Sequence, residues 1–279
     1  MTNVVVIGPQ HWHTGGYIRV LKDMSDVKFV GVSDPDPAVA KKYATDMGCP
    51  AFADYRDMCG KLKPDFAVAM GRHCDMAAEA EFLMNEGIPF LMEKPCGVNL
   101  EEVSRLAELA RRKQAFAAIP FSERQGPMID QIRDRLGFDK LHYVMFNRIL
   151  GTPARYLENG NPWMLDPVQA GGGCTLNLSV HWLDLFQYFM GPGAKIEITS
   201  ATMSNAAYRL PIEDYSLVAL RSGQTECIVE TGYLFPSQLD MHYSIQGDRG
   251  YLIFPGPGHD AEFIAPDGKR ETIDLNSGL

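Results

Sequence analysis

The sequence has no long hydrophobic run. None of its stretches approaches the roughly 18 consecutive apolar residues that a membrane-spanning helix requires. The first residues, Met-Thr-Asn-Val-Val-Val-Ile-Gly, carry no basic segment ahead of a short apolar run, so we expect no signal peptide. These absences predict a cytoplasmic protein with no membrane partner.

Basic charge is also scarce. The 279 residues include 26 Lys and Arg against 35 Asp and Glu, which gives a formal net charge of −9 at pH 7. A protein that binds nucleic acid without sequence preference needs Lys and Arg against the phosphates. The charge therefore predicts that neither nucleic acid nor an anionic membrane surface is a partner.

Cysteines are few and scattered. There are six, with no C-x-x-C pair and no histidine at zinc spacing, at positions 49, 59, 74, 96, 174 and 227. This distribution predicts free thiols in a reducing compartment and no metal site.

Strand and helix patterns alternate in the first part of the chain. Short β-branched runs, such as residues 4–7 and 27–33, are each followed by a helical pattern, which is typical of a parallel sheet with helices on both faces. Beyond residue 122 the pattern changes to one long helix, over residues 174–189, followed by strands and turns. We expect an α/β domain over residues 1–121 and an α+β domain with an open, mainly antiparallel sheet over residues 122–279.

The turn after the first strand reads Gly8-Pro9-Gln10-His11-Trp12-His13. In a dinucleotide-binding Rossmann domain this turn carries G-x-G-x-x-G, whose glycines let backbone N–H groups approach a pyrophosphate. Gln10 and His13 stand at the second and third glycine positions, so the turn alone is equally consistent with one that binds nothing. Asp34 ends the second strand, where a carboxylate accepts hydrogen bonds from ribose hydroxyls and repels a 2′-phosphate, which favours NAD over NADP.

A lysine follows another apolar strand in the motif Glu93-Lys94-Pro95. Open α/β sheets bind their ligands at this edge. Lys94 can hydrogen-bond a substrate oxygen and stabilise charge that develops on it, and Glu93 can hold the ammonium in place. Three residues are a weak pattern by themselves, but their position after a strand of a nucleotide-binding domain strengthens the functional interpretation.

A glycine-rich segment, Gly171-Gly172-Gly173, leads into the predicted long helix. Asn177 and His181 are four residues apart and share one helix face. The imidazole of His181 suits proton transfer near neutral pH, while Asn177 can orient a substrate hydroxyl. A lone helical histidine is more often a core residue, but the glycine-rich entry and the neighbouring Asn177 favour function. The preceding loop, residues 149–170, is either a surface loop or a substrate-shaping one with Trp163 as a sugar-stacking side chain.

These motifs together resemble the glucose-fructose oxidoreductase / inositol 2-dehydrogenase / rhizopine catabolism protein (Gfo/Idh/MocA) family of dehydrogenases. The matching features are the Gly8 turn with Asp34, the Glu93-Lys94-Pro95 motif, the segment Arg124-Gln125-Gly126-Pro127, and the triple glycine with His181 and Asp184. The resemblance covers nearly the whole chain. It implies a Rossmann domain, a C-terminal open sheet, substrate and nicotinamide meeting between them, and homodimers or homotetramers formed through that sheet.

The resemblance also implies roles for individual residues. Lys94 matches the lysine that contacts the reacting hydroxyl and the nicotinamide ribose, and His181 matches the acid/base histidine, with Asn177 as a third catalytic candidate. The expected cofactor-binding residues are Gly8, Pro9, Gln10, His11, Asp34, Gly71, Arg72, Glu93 and Lys94. The expected substrate-binding residues are Arg124, Trp163 and Asn177.

Some positions depart from the family pattern. The loop after the fourth strand usually reads Ala-Thr-Pro-Asn with a histidine at the start of the next helix, but here it reads Met70-Gly71-Arg72-His73 with Met76 in the histidine's place. Asn177 stands where many members have aspartate, which leaves more of the acid/base work to His181 and Lys94.

The expected reaction is an NAD(P)-dependent hydride transfer. It would act on a CH–OH group of a small-molecule sugar, polyol or related carbohydrate derivative, with NAD favoured as the cofactor. One alternative is a redox-neutral, NAD-dependent cleavage of glycosides. The other is a nucleotide-binding family member without catalysis, which the incomplete glycine turn and Asn177 would support.

Overall fold

The computed structural model describes residues 1–237, 239–256 and 258–275, and the chain groups into two units. Unit 1 comprises residues 1–120 and 156–171, and unit 2 comprises residues 121–155 and 172–279. The chain first passes from unit 1 to unit 2 after residue 120. The segment 156–171, however, groups with unit 1 and not with the second domain, and it does so through aromatic side chains, since Tyr156 and Trp163 pack against Trp12.

Unit 1 is built on a parallel sheet of six strands in the order β3-β2-β1-β4-β5-β6. The strands are β1 (Thr2–Ile7), β2 (Val27–Ser33), β3 (Ala51–Phe52), β4 (Phe66–Ala69), β5 (Phe90–Met92) and β6 (Ala117–Ala118). The helices between them are α1 (Thr14–Lys22), α2 (Pro37–Met47), α3 (Tyr55–Leu62), α4 (His73–Glu86) and α5 (Leu100–Lys113). Because all strands are parallel, their carboxyl ends and the loops that follow them meet at one edge of the sheet.

Local sequence explains where these elements begin and end. Asp36, Asp54 and Asn99 cap α2, α3 and α5 by accepting hydrogen bonds from backbone N–H groups of the first turn. The apolar strands β1 and β4 bury both of their faces under the helices, which is expected for the central strands of a parallel sheet.

Unit 2 is built on an eight-stranded sheet in the order β14-β13-β12-β11-β7-β10-β9-β8. Its elements are α6 (Pro127–Gln131), β7 (Leu141–Gly151), α9 (Val180–Met190), β8 (Glu197–Ser204), β9 (Tyr215–Ser222), β10 (Thr225–Phe235), β11 (Leu239–Gly247), β12 (Gly250–Phe254), β13 (Ala261–Ile264) and β14 (Arg270–Ile273), and the short helices α7 (Ala154–Glu158) and α8 (Pro167–Ala170) lie between β7 and α9. All described pairs are antiparallel except β7 with β10. The predicted fold class, a Rossmann-type domain and an open, mainly antiparallel sheet, is therefore confirmed.

Helix α9 packs its apolar face on one side of this sheet. The core there contains Trp182, Leu185, Phe186 and Phe189 together with inward-facing residues of the central strands. The sequence pattern predicts one α-helix over residues 174–189, but the structure forms a π-helical turn over Thr175–Ser179 before α9 begins. None of the helices in the described ranges is both long and apolar enough to span a membrane.

Candidate active site

The turn between β1 and α1 is closed by its own backbone. The N–H groups of Gly8, Gln10 and His11 donate to the carbonyl oxygens of Ser33, Gly8 and Met70 at 2.8, 2.6 and 3.1 Å. Gly8 has φ +58°, and a Cβ added to it would lie 2.8 Å from the Gly71 Cα. Glycine is therefore required here for both its backbone conformation and the close approach of the loop after β4, as in a dinucleotide-binding turn.

Asp34 lies at the end of β2 and is buried. Its Oδ1 accepts hydrogen bonds from the Gln10 side-chain amide at 2.9 Å and from the Asp36 N–H at 2.8 Å. Burial raises the pKa of Asp34, and these two hydrogen bonds oppose that rise. Gln10, which replaces a glycine of the fingerprint, thus holds the carboxylate that is expected to recognise ribose.

A cavity of about 300 Å³ opens in front of Asp34, at the carboxyl ends of β1, β2 and β4. Three buried side-chain oxygens at this cavity have no hydrogen-bond partner in the described structure, namely Ser33 Oγ, Asp34 Oδ2 and Glu79 Oε2. Unpaired buried oxygens are costly unless a ligand satisfies them. This arrangement fits the hydroxyl-rich ribose of a dinucleotide.

Glu79, on α4, forms the floor of this cavity and was not anticipated from the sequence. A Cβ added to Gly71 would lie 2.8 Å from its Oε1. Burial, reinforced by the charges of Asp75 and Asp34, raises the pKa of Glu79 to about 8. The signal that could have revealed it is a carboxylate on the otherwise buried face of α4, where Met76, Ala80 and Leu83 lie.

The ionisation of Glu79 makes the stability of the protein depend on pH. Its carboxyl is protonated in the folded protein and ionised in the unfolded chain between its ordinary pKa of 4.5 and the folded value of about 8. The unfolded chain binds fewer protons over this interval, so the free energy of unfolding is expected to fall by up to about 1.4 kcal/mol per pH unit as the pH rises. Glu79→Gln is expected to remove this dependence, as measured by denaturant unfolding at several pH values from 5 to 8.

The matched control is Glu81→Gln, which changes a carboxylate of the same helix that is exposed and paired with Arg105. This control should keep the pH dependence of the wild-type protein. Identical pH dependence in the wild-type protein and Glu79→Gln would contradict the assignment of a buried, protonated Glu79.

Arg72 is a cationic side chain at this edge of unit 1. Its Nε donates to Asp75 at 2.7 Å and its Nη1 donates to Gln169 at 2.9 Å. It lines the cavity in front of Asp34 and also a second one of about 550 Å³, and Gln10 likewise lines both. The sequence predicts Arg72 as a cofactor-binding residue, and the structure brings it to the same cavity as Asp34, Gln10 and Gly71.

Aromatic rings and polar groups line the second cavity, which also lies within unit 1. Pro9, His11, Trp12, Asn161 and Trp163 contribute to its wall. The Asn161 side-chain amide donates to the Gln10 carbonyl oxygen, which ties the segment 156–171 to the β1–α1 turn. Trp163, predicted to bind substrate from the second domain, is buried in unit 1 with its ring 5.0 Å from that of His73.

The Glu93-Lys94-Pro95 segment follows β5. Lys94 is almost fully buried, and the peptide bond between Lys94 and Pro95 is cis. The Glu93 carboxylate accepts a hydrogen bond from the Lys94 backbone N–H at 3.0 Å and lies 2.8 Å from Nδ1 of His13. Glu93 therefore orders the backbone of the lysine and the ring of His13.

In unit 2, the triple glycine brings the chain close to Glu213. The Cys174 N–H donates to the Glu213 carbonyl oxygen at 3.1 Å, and the Thr175 N–H donates to its Oε1 at 3.0 Å. These bonds hold the start of the π-helical turn that carries Asn177. Asn177 is buried and donates through Nδ2 to the Tyr233 hydroxyl at 3.1 Å.

His181 lies in the first turn of α9, with its ring edge-on to Phe121 at 5.9 Å. Arg124, predicted to bind substrate, forms a two-pronged ion pair with Asp184, with Nε 2.7 Å from Oδ2. Asp184 therefore pairs with Arg124, and this pair joins the segment after residue 121 to α9.

The fold and the Asp34 cavity define the class of protein as an oxidoreductase with an NAD-binding Rossmann domain, and comparison with known families agrees. Residues 2–121 match the model of the oxidoreductase family with an NAD-binding Rossmann fold, and residues 143–253 match the model of the GFO/IDH/MocA C-terminal domain. The chain belongs to the Gfo/Idh/MocA family.

Several known proteins are similar over most of the chain. The rhizopine catabolism protein MocA of Rhizobium meliloti is 25% identical over 273 residues, which is 94% of this chain and 78% of that protein. The trans-1,2-dihydrobenzene-1,2-diol dehydrogenase of Sus scrofa is 24% identical over 271 residues, covering 91% and 77% of the two chains. The crystal structure of an inositol dehydrogenase homolog complexed with NAD+ from Azotobacter vinelandii has a TM-score of 0.85 at 18% identity, covering 100% of this chain and 77% of that one.

These similarities confirm the family that the motifs indicate, its oxidoreductase class and NAD as its cofactor. They leave the individual site residues as predictions, because none of the comparisons assigns a role to a residue of this chain.

Proposed function

We propose that this protein oxidises a CH–OH group of a sugar, polyol or related carbohydrate derivative, with NAD as the hydride acceptor. The observation that carries the proposal is the Asp34 carboxylate, which is buried at the end of β2 with one oxygen unpartnered in a polar cavity. The names of two similar proteins support the substrate class, since one is a dihydrobenzene-diol dehydrogenase and another an inositol dehydrogenase homolog.

The cavity lining supports NAD over NADP. The carboxylates of Asp34, Asp54 and Asp75 line it, together with Arg56 and Arg72. In NADP a phosphate replaces the ribose 2′-hydroxyl. It would lie among these carboxylates, and Asp34 would lose the hydroxyl from which it is expected to accept a hydrogen bond. The backbone N–H groups of Gly8, Gln10 and His11 are engaged within the protein. Arg72, which lines both unit 1 cavities, is therefore the proposed partner of the pyrophosphate.

Lys94 is proposed to stabilise the negative charge that develops on the reacting hydroxyl, and His181 is proposed to accept its proton. Bound NAD supplies the redox chemistry at its nicotinamide ring. The Lys94 ammonium donates a hydrogen bond to the hydroxyl oxygen and stabilises negative charge there. His181 takes the hydroxyl proton, while Asn177, Arg124 and Trp163 are the proposed substrate-orienting residues.

Nucleotide binding to the purified protein tests the first part of this proposal. NAD at about 100 times its Kd should raise the free energy of unfolding by about 2.7 kcal/mol, whereas NADP at the same concentration should give much less. Asp34→Asn should weaken NAD binding about 10–100-fold, because a ribose hydroxyl loses a charged acceptor. Denaturant unfolding with and without nucleotide measures the first effect, and isothermal titration calorimetry measures the change in Kd.

The matched control is Asp36→Asn, two residues further along the same loop. Asp36 is exposed and caps α2 through a hydrogen bond from the Ala38 N–H at 2.8 Å, a role that asparagine also performs. Asp36→Asn should bind NAD like the wild-type protein. Tighter binding of NADP than of NAD, or no effect of Asp34→Asn, would contradict the role of Asp34.

Product analysis with a panel of polyols, sugars and sugar acids tests the reaction itself. A ketone formed in equal amount with NADH supports the dehydrogenase. A sugar released from a glycoside without net NADH would instead indicate redox-neutral cleavage and would contradict the proposal.

The proposal includes homodimers or homotetramers formed through the sheet of unit 2. One face of this sheet is covered by α9, whereas alternate residues on the other face, such as Met145, Leu217 and Ile253, are only partly buried. A second copy that covered this face would bury apolar area that the monomer leaves open to water.

A further inference from the structure

Two histidines of the β1–α1 turn lie side by side. His11 and His13 are separated by one residue, and their ring centroids are 4.6 Å apart. The backbone N–H of His13 donates to Nδ1 of His11 at 3.2 Å, which turns the His11 ring toward the rest of the turn. His13 stands at the third glycine position of the fingerprint, and His11 stands at one of its variable positions.

A carboxylate from a more distant strand completes the group. In the sheet order β4 separates β5 from β1, so Glu93 reaches the turn across the end of β4. Its backbone N–H donates to the Ala69 carbonyl oxygen at 3.0 Å, which fixes the end of β5 against β4. Its Oε1 lies 2.8 Å from Nδ1 of His13.

The three side chains can converge on one point. A nitrogen of each histidine and a carboxylate oxygen of Glu93 all lie within 4.8 Å of one another. Metal–ligand bonds of about 2.0–2.2 Å place adjacent ligand atoms about 3 Å apart. The separation between His13 Nδ1 and Glu93 Oε1, at 2.8 Å, is already close to this value, and the buried Nε2 of His11 has no hydrogen-bond partner among the described residues.

We propose that His11, His13 and Glu93 form a site for a divalent transition-metal ion, with Zn²⁺ preferred. Two imidazoles and one carboxylate are a donor set that suits Zn²⁺ and related ions better than Mg²⁺ or Ca²⁺. The Lys94 N–H holds the second oxygen of Glu93 at 3.0 Å, an outer hydrogen bond that orients the carboxylate. The His13 side chain is 43% exposed, which gives an ion access and leaves a coordination position for water or a ligand.

This site departs from the expectation of no metal, which rested on the spacing of cysteines. It shares His11 and Glu93 with the residues expected to bind the cofactor, but the ion is expected to bind without nucleotide. Failure of NAD binding and failure of metal binding are therefore separate results.

The test is a titration of the full chain with Zn²⁺ and, separately, with Co²⁺. The protein carries no histidine tag and is first treated with a chelator to remove bound metal. We expect one ion per chain by calorimetry and visible d–d absorption from bound Co²⁺. His11→Ala, His13→Ala and Glu93→Gln should each weaken binding by more than about 100-fold, because each removes a direct ligand. Thermal unfolding of each variant verifies that it is folded.

Two further variants locate the ion. His142→Ala removes a histidine of unit 2 that lies 2.6 Å from the Asp248 carboxylate in an exposed pair, and it should leave the affinity unchanged. Lys94→Met removes a positive charge that acts on both His11 and Glu93, and it should tighten binding. Absence of binding to the wild-type chain, equal affinity in all variants, or no tightening in Lys94→Met would overturn the proposed site.

Discussion

Lys94→Met is expected to lower kcat by about 10²–10⁴-fold, the usual contribution of a positioned group that assists proton transfer. The lysine is almost fully buried, and its backbone is held by the Glu93 carboxylate at 3.0 Å. Methionine keeps the apolar stem of the side chain in that buried space but removes the charge. Because the change acts on the reacting hydroxyl, NAD binding should weaken by less than about tenfold, the effect of one hydrogen bond.

His181→Asn is expected to lower kcat by a similar factor. If both residues assist the same proton transfer, the double variant should be only slightly slower than either single one, since groups that act as a unit are not additive. Steady-state kinetics with the best substrate of the panel, together with calorimetric Kd values for NAD, separates a loss of chemistry from a loss of binding.

His142→Asn is the matched control, because His142 lies in unit 2 and is exposed in a pair with Asp248. Its turnover should equal that of the wild-type protein. Unchanged turnover in Lys94→Met and His181→Asn would show that other groups carry the chemistry.

Gly173→Ala is expected to destabilise the protein by about 3–5 kcal/mol, a large part of the total stability of a typical domain. A Cβ at this position would overlap the carbonyl oxygen of Glu213 and lie 2.9 Å from its carbonyl carbon and nitrogen. These are backbone atoms, which cannot rotate away. The hydrogen bond from the Cys174 N–H to the same carbonyl, at 3.1 Å, would be lost or distorted.

The neighbouring Gly172→Ala separates this clash from a general loss of flexibility. A Cβ on Gly172 would meet Leu176 Cβ at 3.4 Å, an ordinary contact. Its free energy of unfolding should stay within about 1 kcal/mol of the wild-type value. Denaturant unfolding of both variants makes the comparison, and equal stabilities would contradict the close approach of Gly173 to Glu213.

The parallel sheet of unit 1 was predictable from the sequence because its strands are apolar on both faces and are separated by helices with clear caps. The sequence pattern predicts strands over residues 4–7 and 27–33, and β1 and β2 lie there in the structure. The position of Asp34 followed directly from the end of β2. Patterns that repeat within ten or fifteen residues are local, and local patterns are what a single sequence reveals.

Contacts between distant segments could not be predicted in this way. The segment 156–171 lies in the sequence after β7 of unit 2, yet aromatic packing and the amide of Asn161 attach it to unit 1. The meeting of Glu93 with His13, 80 residues earlier, depends on the order of strands in the sheet. Nothing in the spacing of either motif indicates the other.

The sequence pattern does not predict the π-helical turn before α9, and the reason is a different one. Its apolar residues satisfy an α-helical period about as well, so hydrophobic periodicity does not distinguish the two. What selects the wider turn lies outside the segment, since the backbone and side chain of Glu213 hold the N–H groups of Cys174 and Thr175. The sequence also does not predict the role of Glu79, because α4 carries four carboxylates, and which of them is buried depends on the packing of the helix.

The hydrogen bond from Gln10 to Asp34 also affects which substitutions could change the cofactor preference of this protein. Replacing Asp34 by an apolar residue to admit a 2′-phosphate would remove the acceptor of the partly buried Gln10 amide. Restoring glycine at position 10 would free the turn but leave the Asp34 carboxylate without that support. Because the two side chains support each other, a change of nucleotide preference is expected to need substitutions at both positions.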